Sequence, residues 1–304
     1  MTMPNLLDIA RANGSDGVVG LVDETTRAHP ELTLGAARTI KGLNYKTLVR
    51  VALPAVSFRN VNEGTAATRG RVENRLVETF LMNPRWECDK AVADAYEDGA
   101  EAFIALDAGD MVEAAMQHLA SQFYYGVAND AKGFPGLIAA YDATNMVVDA
   151  AGTTDSVCSS VWAVKWGVKD AVWVWGLNGS LALSDVTEGR ITDTLGNPLT
   201  AYIQELVARP GLQVGSVFSL GRIKKLTTDS GKGLTDVLVA ALLAKFPVGK
   251  EPDVLLMNRR SLEQLRASRT ATNATGAPAP RPTEAFGIPI AVTDAIVSTE
   301  TLTL

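Results

Sequence analysis

With 304 residues, 47% of them hydrophobic and 20% charged, the chain is long enough for one large domain or two smaller ones with ample core. A net charge of −6 leaves no overall basic character, which argues against nucleic-acid affinity as the main task, and two cysteines, Cys88 and Cys158, are too few for a disulfide framework. The start MTMPNLLDIARANG has neither the basic nor the apolar region of a secretion signal, and the longest apolar run, Val237 to Leu243, is far short of the ~20 residues that cross a bilayer, so a soluble protein made in the cytosol is expected.

From Met1 to Leu43, after a short amphipathic start at Leu6 to Arg11, Gly14, Gly17, Gly20, Pro30, Gly35 and Gly42 punctuate the chain too often for a core of its own. A flexible or partner-bound arm is the expectation. The early glycines lack the spacing and the preceding strand of a dinucleotide fingerprint. Lys46 to Phe58, KTLVRVALPAVSF, is rich in β-branched residues and reads as an extended strand interrupted or bent at Pro54. Asn60 to Gly70 is a polar, turn-rich tip. Arg71 to Trp86 returns, and its periodicity permits a helix over Glu73 to Met82; pairing with the first strand favours a long hairpin instead. A two-stranded hairpin is marginal in water alone, so this one is expected to lie on another subunit.

Glu87 to Gly99 is expected to form a short helix. It leads into a long one from Ile104 to Tyr125, with Val112, Met116, Leu119 and Phe123 as its buried stripe, alanines along its flank, and Gly126 placed as a left-handed cap. Asp110 and Glu113 have the spacing of a capping box that would restart the helix after Gly109, but Ile104 to Asp107 continue the pattern, so a continuous rod is expected. Glu113 and Gln117 fall off the stripe and are expected to tolerate alanine.

Past the loop ending Phe134-Pro135-Gly136, strands dominate. Val161 to Val164 and Ala171 to Leu177 are dense in tryptophan and β-branched residues. The alternation of Trp162, Trp166, Trp173 and Trp175 points to a sheet face and an interface, with a sugar-binding platform as the alternative. Gly189 to Thr194 and Leu199 to Val207 flank a turn at Gly196-Asn197-Pro198. Leu212 to Leu226 is expected as one further strand, in a hairpin-rich antiparallel region. Leu234 to Phe246 reads as a helix closed by Pro247 and Gly249, Asp253 to Met257 as a buried strand, Ser261 to Ser268 as a helix, Arg269 to Pro282 as a loop, and Phe286 to Val297 as a strand returning to a core sheet.

Catalytic material is sparse. His29 and His118 are the only histidines, too few for a convincing triad, and neither pairs with a second histidine or a CxxC at zinc spacing. Asp229-Ser230-Gly231-Lys232-Gly233 lacks the first glycine and the Ser or Thr of a phosphate loop and reads as a capped turn. Asp89, Asp94, Glu97 and Asp98 read as solvated charge on a polar helix face. No catalytic, metal-binding or cofactor-binding residue is assigned, and no enzyme is expected.

The order of these pieces resembles the major capsid proteins of tailed double-stranded DNA bacteriophages, the Hong Kong 97-like fold. The matching pieces are KTLVRVALPAVSFRNVNEG, the DKAVADAY segment leading to a helix that ends FYYG, the FPGL that follows, the strand pair SVWAVKWGVKDAVWVWGLNGS, and the terminal FGIPIAVTDAI with its STETL tail. The resemblance implies an α+β subunit with an N-terminal arm (residues 1–43), an extended loop (44–88), a peripheral domain (89–150, spine helix about 104–125, completed by 286–304) and an axial domain (151–285). It implies a structural role: pentamers and hexamers of this chain forming an icosahedral head shell around phage DNA, after synthesis in the host bacterial cytoplasm. The implied partners are other copies, a separate scaffolding protein, a portal protein, in some cases a decoration protein, and packaged DNA in non-specific contact, with no membrane. A soluble carbohydrate-active hydrolase using the tryptophan strands is the alternative. In some relatives a lysine of the extended loop forms an isopeptide bond to an asparagine of the next subunit; this loop has no lysine between Thr47 and Asp89, so a non-covalent shell is expected, aided by ion pairs of Arg59, Arg69 or Arg71.

Overall fold

The structure, a computed structural model, describes residues 27–141, 145–179, 181–273 and 277–303, together with Pro4, Leu6, Asp8, Ile9 and Thr25. Its strands are β1 (Ala37–Thr39), β2 (Asn44–Ala52), β3 (Arg71–Glu78), β4 (Arg85–Asp89), β5 (Val147–Asp149), β6 (Ser159–Val164), β7 (Ala171–Trp175), β8 (Ala182–Leu183), β9 (Thr187–Thr192), β10 (Pro198–Val207), β11 (Pro210–Val214), β12 (Leu220–Leu226), β13 (Val254–Met257), β14 (Glu284–Ala285) and β15 (Ile288–Val292).

A mixed sheet in the order β14-β15-β13-β6-β12-β5 forms the centre, and every residue of β6 is buried. Alternation explains this, because successive side chains of a strand point to opposite faces. Trp162 and Val164 join the cluster of the spine helix end, with Leu119, Phe123, Tyr124 and Trp173. Val161 and Ala163 join Leu242, Leu262 and Leu265, from helices Asp236–Leu243 and Arg259–Ala271 on the other face. β13 does the same, with Leu256 on the first face and Leu255 and Met257 on the second.

The spine helix runs Ala100–Tyr125, 26 residues without a break at Gly109, so it is about 39 Å long. It starts four residues before the expected Ile104, straight after Gly99, whose φ of 90° marks the turn into it. The buried stripe differs from the expected one. Leu119 and Phe123 are fully buried, but Val112 and Met116 are only half-buried, and Ile104, Ala108, Met111 and Ala115 take the inner line. That line follows i, i+4, i+7, i+11, one position off the expected stripe, because the N-terminal half faces β4 and β10 through Trp86, Cys88 and Leu206. Gly126 is no left-handed cap: its φ of 52° comes with ψ of −126°, and a Cβ there would lie 2.1 Å from the Gly136 nitrogen. Glycine is needed because the helix end and the Phe134-Pro135-Gly136 loop touch backbone to backbone.

The hairpin expectation holds, and the helical alternative over Glu73 to Met82 does not. β2 and β3 pair antiparallel from Asn44↔Glu78 to Ala52↔Arg71. The turn at Gly196-Asn197-Pro198 joins β9 to β10 as expected. Five other expectations are corrected. β6 and β7 are not a strand pair: β6 lies between β12 and β13, while β7 lies between β1 and β11, because each is buried on both faces and needs two neighbours. Leu212 to Leu226 is two strands, parted at Gly215 and Ser216; the Ser216 hydroxyl accepts from the Phe218 amide at 3.2 Å and starts a 3₁₀ turn, so β11 and β12 join different sheets. The helix expected over Glu87 to Gly99 shrinks to Lys90–Ala93, capped by Asp89, because Glu87 to Asp89 belong to β4. The helix expected at Ser261 to Ser268 is longer, Arg259–Ala271, started by the Asn258 side chain accepting from Ser261. The central sheet is also not purely antiparallel, since β13 and β15, like β12 and β5, run parallel.

Candidate assembly surface

The hairpin has a seated base and an unseated tip. At the base Val77 is buried with Val172 and Val174, the Tyr45 hydroxyl donates to Gln213, and the Thr79 hydroxyl donates to the Leu43 carbonyl at 2.8 Å. Beyond it the apolar side chains Leu48, Leu53, Val56, Phe58 and Val61 are exposed, Phe58 fully so at 106%. Burying such a side chain is worth about 1.5–3 kcal/mol, which the single chain forgoes. Hydrogen bonds at the tip stay local: Arg59 donates to the Glu63 carbonyl at 2.6 Å, and the Thr68 hydroxyl to the Ala55 carbonyl at 2.7 Å. Arg71 pairs with Glu73 on the same strand. Between Asn44 and Glu78 six basic residues stand against three acidic ones, the reverse of the chain's net charge of −6.

A second surface lies beside the N-terminal half of the spine helix. A groove of about 590 Å³ is floored by Ile104, Ala108, Val112, Leu183 and Val186, with Glu101 among its lining residues.

A strap, Arg27 to Gly35, crosses the other half of the helix. Gln117 Nε2 donates to the Thr25 carbonyl at 2.9 Å and the Arg27 amide donates to Glu113 Oε1 at 3.3 Å. Glu113 and Gln117, off the buried stripe as expected, thus contact the chain at Arg27 and Thr25 while staying partly in solvent. Inside the strap Glu31 is wholly buried, accepting from the Tyr124 hydroxyl at 3.2 Å. Burial pushes its carboxyl up to about 7, with Asp294 adding to the rise and its own backbone amide, Thr293 and Tyr124 opposing it.

The residues weighed for chemistry do not converge. His29 lies against Glu31 and Glu113, whereas His118 pairs with Asp130 at 3.5 Å on the surface. Cys88 and Cys158 are free and buried; burial pushes the Cys88 thiol up to about 11, far from a reactive thiolate. Lys232 donates its amide to the Asp229 carbonyl at 3.0 Å, and the Asp229 carboxylate accepts from Thr154 and Thr227, so this loop is a capped turn. Asp89 caps a helix, and Asp94, Glu97 and Asp98 follow that helix in sequence rather than sharing one helix face with it. Among the described residues no three His, Cys, Asp or Glu side chains are grouped as metal ligands, and no helix is long and apolar enough to cross a membrane. Trp162 and Trp173 are sealed in the core, where Trp173 stacks on Phe123 at 5.0 Å, so they form no sugar platform. Sequence reasoning missed Glu31, Arg222 and Glu300, which meet their partners only through the fold; no local pattern marks a lone acid in PELTL or an arginine in LGRIKKL.

The fold matches that of a chain in the near-atomic cryo-EM structure of bacteriophage epsilon15, with a TM-score of 0.79 at 21% identity over 99% of this chain and 97% of that one. Weaker likenesses include a structure from Mycobacterium phage Cain (TM-score 0.48, 11% identity, 73% of this chain and 98% of that one) and the holo-SrpI encapsulin complex of Synechococcus elongatus (0.48, 9%, 76% and 98%). No curated protein matches the sequence. The α+β architecture is thus the tailed-phage, Hong Kong 97-like capsid fold, and since residues 33–303 match the family described as major capsid protein GP7, the chain belongs to that family.

Proposed function

We propose that this chain is the structural subunit of an icosahedral phage head, assembling as pentamers and hexamers into the shell that encloses double-stranded DNA in the virion. The observation that carries this reading is the hairpin: a basic, apolar tip with its side chains in solvent belongs on a neighbouring subunit. An apolar groove with Glu101 among its lining residues is a surface of matching chemistry on the same chain. Membership of a major capsid protein family supports the structural, non-enzymatic role.

The reading carries a division of labour. Residues 1–43 serve as arm, 44–88 as extended loop, 89–150 with 286–304 as peripheral domain, and 151–285 as axial domain. Scaffolding comes from a separate protein, a portal occupies one vertex, and a decoration protein is an optional addition. Copies are held by apolar burial and strand pairing, since surface ion pairs contribute only ~0–1 kcal/mol each. Size-exclusion chromatography with negative-stain microscopy of the purified chain tests the reading. Capsomers or shells support it, and a discrete small oligomer that never assembles, with or without scaffolding protein, refutes it.

A further inference from the structure

The strap over the spine helix holds a group of buried polar atoms that the shell-forming role does not use. Among the described residues, Glu31 Oε1 and both ring nitrogens of His29 are buried without a hydrogen-bond partner. They face one another: His29 Nδ1 lies 3.8 Å from Glu31 Oε1, and Nε2 lies 3.7 Å from Glu113 Oε1 on the helix. An imidazole placed this way stands between two carboxylates, one from the strap and one from the helix. Unpaired polar atoms away from water are costly, and a proton on the Glu31 carboxyl lowers that cost by removing its charge.

Every element packed here contributes a group. The strap brings His29 and Glu31. The spine helix brings Glu113 and Tyr124, whose phenol burial holds protonated, well above its ordinary range, so that it stays a donor to Glu31. The segment after β15 brings Thr293 and Asp294, the latter paired with Arg259 at 3.0 Å. β7 brings Trp173, whose indole N–H donates to the Glu31 carbonyl at 3.0 Å. The fit is close: a Cβ on Gly35 would lie 2.5 Å from the Trp173 ring. The strap runs on into β1, which pairs with β7.

We propose that this cluster is a proton-dependent clasp: a proton held on the Glu31 carboxyl keeps the strap seated on the spine helix and Trp173, and its loss leaves an unsolvated carboxylate near Asp294 and lets the strap lift. The direction follows from the chemistry of the acid. A carboxyl whose seated value is raised from 4.5 to about 7 binds its proton more tightly seated than released. The clasp is therefore tightest below the released value and weakens as pH rises, reaching a plateau above the seated one. One proton changes the seated-to-lifted ratio by at most about tenfold per pH unit across that window.

Hydrogen exchange of the full-length chain, corrected for intrinsic rates and read on peptides covering residues 27–36, tests this from pH 5 to 8. Protection in the wild type should fall by about tenfold per pH unit up to about pH 7 and then level. Glu31→Gln, neutral throughout, should give a flat profile, while Glu113→Gln should keep the slope. A flat wild-type profile, or an unchanged slope in Glu31→Gln, overturns the clasp. Infrared difference spectra at pH 6 give a second reading: a protonated carboxyl band present in the wild type and lost in Glu31→Gln supports it, and its absence from the wild type refutes it. Neither measurement depends on shells forming, so failure here is separate from failure of the capsid reading.

Discussion

Arg222 and Glu300 meet at the heart of the fold, with Nη2 donating to Oε2 at 3.1 Å and both side chains almost wholly buried. Glu300 lies at the far end of the chain, on the segment that bridges back to Cys158, and it also accepts from the Tyr125 hydroxyl at 2.8 Å and from Ser160. Arg222 donates Nε to Ser160 at 2.9 Å and stands over the Trp162 ring at 5.0 Å. One ion pair thus ties the C-terminal segment, the spine helix end and the central sheet together.

Removing one partner of such a pair strands the other charge without water. Glu300→Ala should destabilise the chain by about 3–5 kcal/mol, read as a lower denaturation midpoint at unchanged slope. A loss under about 1 kcal/mol, typical of an exposed pair, would contradict the burial described here.

Along the spine helix, burial ranks the cost of truncation. Leu119→Ala removes a fully buried side chain and should cost about 2–5 kcal/mol, and Met111→Ala should exceed Met116→Ala, although both are methionines on one helix. Chemical denaturation of the three variants checks the order. Equal costs at Met111 and Met116 would put the inner line elsewhere.

The hairpin tip should be dispensable for folding and needed for assembly. Its side chains are exposed and its hydrogen bonds stay within the tip, whereas Val77 and Tyr45 hold the base. Deleting Asn60 to Gly70 should leave the thermal midpoint of the subunit nearly unchanged and reduce shell yield in microscopy. Unfolding on deletion would mean that the tip belongs to the subunit's own core.

Shells of this chain should come apart without chemistry. The hairpin has no lysine between Thr47 and Asp89, and Lys46 sits at its base opposite Leu76. Cys88 and Cys158 are buried and unpaired. Boiled in detergent with reductant, purified shells should run as one band near 32.2 kDa. A ladder of multimers would require a cross-link from some other residue pair.

Much of this protein is legible in its sequence because the decisive signals are local. The apolar, proline-free run around Leu119 makes a helix wherever it packs, and the β-branched run Lys46 to Ala52 needs only its partner nearby in the chain to form the hairpin. Even the tryptophan strands announced themselves by alternation. The tertiary structure decided everything set by what lies opposite. Met111 rather than Met116 faces inward because β4 and β10 approach from that side, and no spacing within the helix contains that information. β6 and β7, neighbours in sequence and alike in composition, part into two sheets because two-sided burial gives each its own pair of neighbours. Glu31, Arg222 and Glu300 look like ordinary surface charge when read in line; only the fold removes their water, and the removal of water is what turns a charged side chain into a fastening.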